Sequence, residues 1–234
     1  MAALEIEDLT HAYPDGTQSL RGVNLSVERG SALGLVGPNG AGKSSLLLAA
    51  LGFLRCGGAV RVGDVELTRG TVREIRRRVG IVFQDANDQL FMPTVFDDVA
   101  FGPLCAGLDE TEVRRRVAEA LEAVGAGHLA DRAPYHLSGG EKRRVALATV
   151  LAMRPEIILF DEPTGNLDPP SRSRFIRVLG DLPATRVLAT HDLDAVAATC
   201  ARTAVLSEGR IVAEGRTTDV LADADLMRRA GLDG

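Results

Sequence analysis

The stretch Gly37-Pro38-Asn39-Gly40-Ala41-Gly42-Lys43-Ser44 constrains this chain more than any other. It fits G-x-x-x-x-G-K-[ST], and it stands where that pattern has a mechanism, after a strand and before a helix. The apolar run Ala32–Val36 reads as a buried parallel strand, and a helical stretch follows the loop to about Leu51. Glycines let such a loop close around a phosphate with its N–H groups turned inward, and the helix N-terminus adds partial positive charge. Lys43 can then reach the β- and γ-phosphates of a nucleotide, and Ser44 can offer a hydroxyl to Mg²⁺. Of the 27 basic residues only Lys43 and Lys142 are lysines. A slender ammonium suits such a pocket better than a broad planar guanidinium.

Two further motifs bear on the same chemistry. Ile157-Ile158-Leu159-Phe160-Asp161-Glu162 is an apolar strand that ends in two acids. Buried carboxylates are costly unless paired or beside a cation, so Asp161 is the expected Mg²⁺ ligand, directly or through water. Glu162 is expected to face the attacking water. Leu137-Ser138-Gly139-Gly140-Glu141 precedes a helix and offers a second anion site at a helix start. Taken alone, Ser-Gly-Gly is an ordinary helix beginning.

Alternating residues at 4–9 and 22–28 read as strands, Pro14-Asp15-Gly16 as a turn, and residues 60–67 as two short strands around a Gly-Asp turn. Strands are also expected at 79–83, 157–160, 185–190 and 203–206. Val113, Val117, Leu121 and Val124 recur at helical spacing, and 140–153 reads as a second helix. No convincing strand lies between Gln84 and Arg154. The pattern predicts a core from 1–84 and 155–234 and a helical insertion at 85–154, with short helices after Thr217.

Composition is that of an ordinary globular chain, 45% hydrophobic and 25% charged. The net charge of −5 gives no electrostatic footprint for nucleic acid. No apolar run reaches the ~18–20 residues of a membrane helix, and the N-terminus has no signal-like apolar core. The three cysteines form no CxxC pair, which fits a reducing compartment and three buried thiols.

The three motifs, in this order, resemble the nucleotide-binding subunit of ATP-binding-cassette transporters, with Leu137 to Glu141 matching the family's signature motif. The resemblance covers essentially the whole chain. It implies an α/β fold, a P-loop (RecA-like) core with an antiparallel β subdomain and an inserted helical subdomain. It implies ATP and Mg²⁺ as ligands, with the loop from Gly37 to Ser45 on the phosphates. Tyr13 matches the aromatic that stacks on adenine. Gln84 matches the glutamine that reaches Mg²⁺ and the attacking water, so Ser44, Gln84 and Asp161 form the implied metal set. His191 matches the switch histidine on the γ-phosphate. Asn166-Leu167-Asp168 matches the loop that contacts the opposite subunit. A lone Tyr13 would pass for core or loop, and a lone His191 for a helix cap. The resemblance further implies a head-to-tail dimer, of two copies or with a paralogue. Each ATP then lies between the Lys43 loop of one subunit and Ser138, Gly139 and Gly140 of the other. Transmembrane partners would place the chain at the cytoplasmic face of the membrane.

Residues 83–91 and 94–103 look like the ATPases of energy-coupling-factor importers, which serve cobalt, nickel and B vitamins. Another ABC transporter, or a non-transport relative, is the alternative. Four of the seven phenylalanines lie between Phe83 and Phe101. They are either helical-subdomain core or an apolar docking surface, and Phe91 is expected to be the most exposed. The arginine runs at 76–78, 114–116 and 143–144 are expected to be mostly solvated.

Overall fold

The computed structural model describes residues 1–232. The chain divides into two units, 1–79 with 156–162 and 183–234, and 80–155 with 163–182.

The first unit holds two sheets. One is antiparallel, in the order β2-β1-β4-β5, from β1 (Ala2–Ala12), β2 (Gln18–Glu28), β4 (Gly57–Val62) and β5 (Val65–Glu66). In β2 buried and exposed residues alternate from Val23 to Glu28, as a strand with one covered face requires. The second sheet contains β3 (Ala32–Val36), β7 (Ile157–Asp161), β8 (Thr185–Thr190) and β9 (Arg202–Ser207), all parallel, in the order β9-β3-β8-β7. β10 (Arg210–Arg216) closes the β9 edge antiparallel. Every residue of β3 and β7 is buried, which is why both read as unbroken apolar runs. The helices of this unit are α1 (Lys43–Ala50), α2 (Val72–Arg78), α7 (Leu193–Thr199), α8 (Thr217–Ala222) and α9 (Ala224–Arg229).

The register fixes what meets what. Val36 pairs with Thr190 across β3 and β8, and Asp161 with Ala189 across β7 and β8. Three strands thus end at one edge of the sheet, where α/β proteins characteristically bind ligands. The chain passes to the second unit through β6 (Val79–Val82).

The second unit is helical, with α3 (Val95–Cys105), α4 (Glu110–Ala123), α5 (Gly139–Leu151) and α6 (Pro169–Asp181), and two short 3₁₀ turns between α4 and α5. On α4 the buried residues are Val113, Val117, Ala120 and Leu121, the apolar stripe expected from its spacing. The arginines of α4 meet glutamates: Arg114 pairs with Glu110, and Arg115 and Arg116 with Glu112.

Two expectations are corrected. Arg143 and Arg144 are buried, 5% and 7% exposed, because backbone carbonyls rather than water satisfy them. The thiols are not all buried either: Cys200 is, Cys56 is partly covered and Cys105 is exposed. Among the described residues no helix is long and apolar enough to cross a membrane.

Candidate active site

The first unit brings Tyr13, the loop from Gly37 to Ser45, Asp161, Glu162 and His191 into one region. Gln84, Ser138, Gly139, Gly140 and Asp168 belong to the second unit.

The loop after β3 owes its shape to glycine. Gly40 and Gly42 have φ of +81° and +106°, conformations that L side chains rarely adopt. A Cβ at Gly37 would lie 2.2 Å from the Leu206 carbonyl oxygen, and one at Gly42 2.4 Å from that of Ser19. Gly42 is also the N-cap of α1 and brings no capping side chain. The first turn of a helix has N–H groups with no intrahelical acceptor, so this end of α1 is open to an anion.

Lys43 points back into the loop it follows. Its Nζ donates to the carbonyls of Gly37 (2.7 Å) and Pro38 (3.2 Å) and lies 3.2 Å from Glu162 Oε1. Glu162 is the residue immediately after β7 and has a positive φ of 43°, uncommon for a residue with a Cβ. Its Oε2 accepts from Thr190 Oγ1 at 2.8 Å and from the His191 backbone N–H at 3.3 Å, and lies 3.0 Å from His191 Nδ1. Its Oε1 is buried and, apart from the Lys43 ammonium, has no hydrogen-bond partner among the described residues. Burial raises the Glu162 pKa, but the His191 and Thr190 hydrogen bonds and the Lys43 charge outweigh it, so the carboxyl sits below its ordinary value.

Beside it, Asp161 Oδ1 accepts from Ser44 Oγ at 3.0 Å. Burial, together with the neighbouring Glu162 charge, lifts the Asp161 carboxyl above its usual range despite the Ser44 hydrogen bond. A carboxylate and a hydroxyl side by side are the hard oxygen donors that Mg²⁺ prefers. Among the described residues no three His, Cys, Asp or Glu side chains gather into a metal cage. The pair therefore suits a cation that takes its other oxygens from water and phosphate.

Tyr13 is partly exposed. Its hydroxyl is 2.9 Å from Ser45 Oγ, which links it to α1, and its ring meets His11 edge to face.

In the second unit, Ser138 caps α5 in a reciprocal box with Glu141. The serine Oγ accepts from the Glu141 N–H, and the Ser138 N–H and hydroxyl both donate to Glu141 Oε2 at 2.8 Å. The N–H groups at this helix start are thus not all free, since Ser138 spends its own on Glu141. Gly140 fits where a Cβ would lie 2.5 Å from Ser171 Oγ. Asp168 caps α6 through the Ser171 N–H, and its bonds with Ser171 hold its carboxyl below the ordinary value.

Gln84 is exposed, and its carbonyl is held by Arg143. Sequence reasoning missed Arg143, as well as Thr190, which fixes Glu162. Phe91 and Phe101 are exposed and pack edge to face with centroids 5.2 Å apart; Phe83 and Phe96 are partly covered.

The ABC transporter family profile matches residues 20–165. An energy-coupling factor transporter ATP-binding protein of Methanothermobacter thermautotrophicus is 48% identical over 98% of this chain and 76% of its own length. The structure of CbiO1 from Clostridium perfringens, part of the CbiONQ transporter complex, is 37% identical with a TM-score of 0.87 over 99% of this chain and 95% of that one. The ATP-binding cassette MJ0796, in a dimeric post-hydrolysis state with ADP and phosphate, is 29% identical with a TM-score of 0.80 over 92% of this chain and 98% of that one. Phosphate loop, acidic strand end and profile agree: the chain belongs to the ABC transporter family and is one of its ATPases.

Proposed function

We propose that this chain is the ATP-hydrolysing subunit of an energy-coupling-factor importer, working with transmembrane partners at the cytoplasmic membrane face to import cobalt, nickel or a vitamin. The observation that carries the catalytic part is the convergence of Lys43 and Glu162 at the end of the parallel sheet. The importer type is supported by the energy-coupling factor relative and the CbiO1 likeness. The exposed Phe91–Phe101 pair supplies an apolar surface on which a membrane partner can dock.

In this reading the loop from Gly37 to Ser45 and the N-terminus of α1 bind the phosphates of ATP, with Tyr13 against the adenine. Ser44 and Asp161 would hold Mg²⁺, which when bound offsets phosphate charge, and the family resemblance implies Gln84 as a further ligand. Lys43 exchanges Glu162 for the phosphates as ATP enters. That exchange removes one of the influences that hold the Glu162 carboxyl down, so the base strengthens as its substrate arrives. Oε2 stays fixed by Thr190 and His191, which leaves Oε1 to take the proton of the attacking water. His191, more than half exposed beside Glu162, is placed to reach the γ-phosphate. Ser138, Gly139, Gly140 and Asp168 act on the nucleotide of an opposite subunit in a head-to-tail dimer.

The test is to purify the tagged chain from gently solubilised membranes, identify what accompanies it, and measure ATP hydrolysis with and without those proteins. Co-purified membrane subunits that stimulate hydrolysis support the reading. Stimulation by DNA or ribosomes instead would place the chain among the non-transport relatives.

A further inference from the structure

We propose that Arg143 is a positioning residue for hydrolysis, clamping the loop of Gln84 and the loop leading to Asp168 onto α5. Both are then held in register with Ser138 at the head of the same helix. The inference rests on the ATPase reading above, because those three residues are the ones it positions.

The geometry is specific. Arg143 Nη1 donates to the Phe83 carbonyl at 2.8 Å; Nη2 donates to the Gln84 carbonyl at 2.7 Å and to that of Gly165 at 3.4 Å. A guanidinium stays charged in proteins, and this one is 5% exposed. Burial works against that charge, while the charge of Asp85 favours it. Nε is buried without a hydrogen-bond partner among the described residues. A buried charge satisfied by backbone dipoles is tolerable only while those dipoles stay in place. Moving either loop would strip the cation of acceptors, so the positions of the two loops are coupled through one side chain.

Neighbouring contacts strengthen the attachment of the first loop. Lys142 Nζ donates to Asn87 Oδ1 at 2.8 Å, and Gln89 Oε1 accepts from the Phe83 N–H at 2.9 Å. The loop at 165 is tied to α5 by its Arg143 bond, and Asn166 just beyond it has a φ of +59°. A planar fork with parallel donors can span carbonyls from two loops, whereas a lysine ammonium is a compact charge on a thinner stem and cannot. Catalysis by positioning is sensitive to such support, since a displacement of about 1 Å can cost about 10²-fold in rate.

The experiment compares the full chain with its Arg143→Lys and Arg143→Met variants. It measures kcat and KM for ATP, melting temperature, and amide hydrogen exchange along the chain. In both variants kcat should fall about tenfold or more with KM nearly unchanged. Exchange should rise at 83–89 and 163–168 while α4 stays protected, and Arg143→Lys should melt close to the unmodified chain. An unchanged kcat in Arg143→Lys overturns the proposal. So does a fall in melting temperature with exchange rising throughout the helical unit, which would make Arg143 a packing residue only. If the unmodified chain hydrolyses no ATP, it is the underlying functional reading that fails.

Discussion

The Lys43 ammonium lies 3.2 Å from Glu162 Oε1, and both side chains are more than nine-tenths buried. The pair links the phosphate loop to the end of β7. Two Lys43 hydrogen bonds to Gly37 and Pro38, and three contacts at Glu162 Oε2, make the rest of each group's surroundings independent of the other. Glu162→Gln should therefore fold, since the amide oxygen can keep the Thr190 and His191 donors. It should bind ATP and lose turnover by about 10²–10⁴-fold, because an amide cannot accept the proton of water. Steady-state hydrolysis beside nucleotide binding on the same variant checks this; near-normal hydrolysis would remove Glu162 from the role.

Lys43→Ala should act on both stability and binding. It leaves Oε1 of Glu162 buried with no cation, and breaking a buried pair from one side typically costs about 3–5 kcal/mol. Adding Glu162→Gln should restore much of that stability without restoring ATP affinity. Lys43→Arg keeps the charge but cannot place a wide fork between the Gly37 and Pro38 carbonyls, so it too should be defective. Chemical denaturation and nucleotide titration of the three variants separate the two effects. Unchanged ATP affinity in Lys43→Arg would show that charge alone suffices.

The phosphate loop and β7 were legible because their chemistry fixes both residue type and spacing: glycines where a Cβ would strike Leu206 or Ser19, and acids at the end of an apolar strand. Other elements had no such signature. β10 pairs with β9 but has no fully buried residue from Arg210 to Arg216, so its sequence carries little apolar pattern. α6 buries only Phe175 and Leu179, and α3 contains Gly102 and Pro103, which argue against a helix when read locally. Arg143 and Arg144 misled for a different reason. Their partners are carbonyls of residues 19 or more positions away, and a backbone acceptor leaves no trace in a sequence.

Ser138→Arg should leave ATP binding by a single subunit intact and abolish dimer-dependent hydrolysis. The serine caps α5 at the far end of a motif that, in the head-to-tail reading, meets the opposite subunit's nucleotide. Loss of the cap alone costs about 1 kcal/mol, which Ser138→Ala measures separately. Mixed with Lys43→Ala, the arginine variant should regain partial ATP-driven pairing, because one of the two composite sites is then intact. Sizing the mixture against each variant alone decides it, and absence of rescue counts against composite sites.

Glu112 gives a pH-dependent prediction for α4. Hydrogen bonds from Arg116 and Arg115 hold its carboxyl down to about 2, from an ordinary value near 4.5. A depressed folded-state pKa means stability that is fully present above the ordinary value and lost as pH falls toward 2. Glu112→Gln should thus melt below the unmodified chain at pH 7, and the difference should shrink as pH falls and disappear only below about 2. A difference that persists in acid would show that the side chain acts by packing and not by charge.

Phe91 separates docking from core. It is 63% exposed, stacked edge to face on Phe101, and the backbone N–H groups of Phe91 and Met92 both donate to Asp98 Oδ1 at 3.0 Å. Asp98 is itself buried on α3, so the segment that presents Phe91 is fastened from beneath while the ring stays in solvent. A core residue would have the opposite arrangement, with the ring enclosed. Phe91→Ser should therefore leave folding and the ATPase activity of the isolated chain nearly unchanged. If the ring anchors a membrane subunit, it should cost about 2 kcal/mol or more of partner affinity. Asp98→Ala, which frees the same segment without touching the ring, should weaken partner binding in the same direction. Thermal melts and a pull-down with the membrane subunits on Phe91→Ser test the assignment. A melting temperature lowered by several degrees, with docking lost only as its consequence, would return Phe91 to the core.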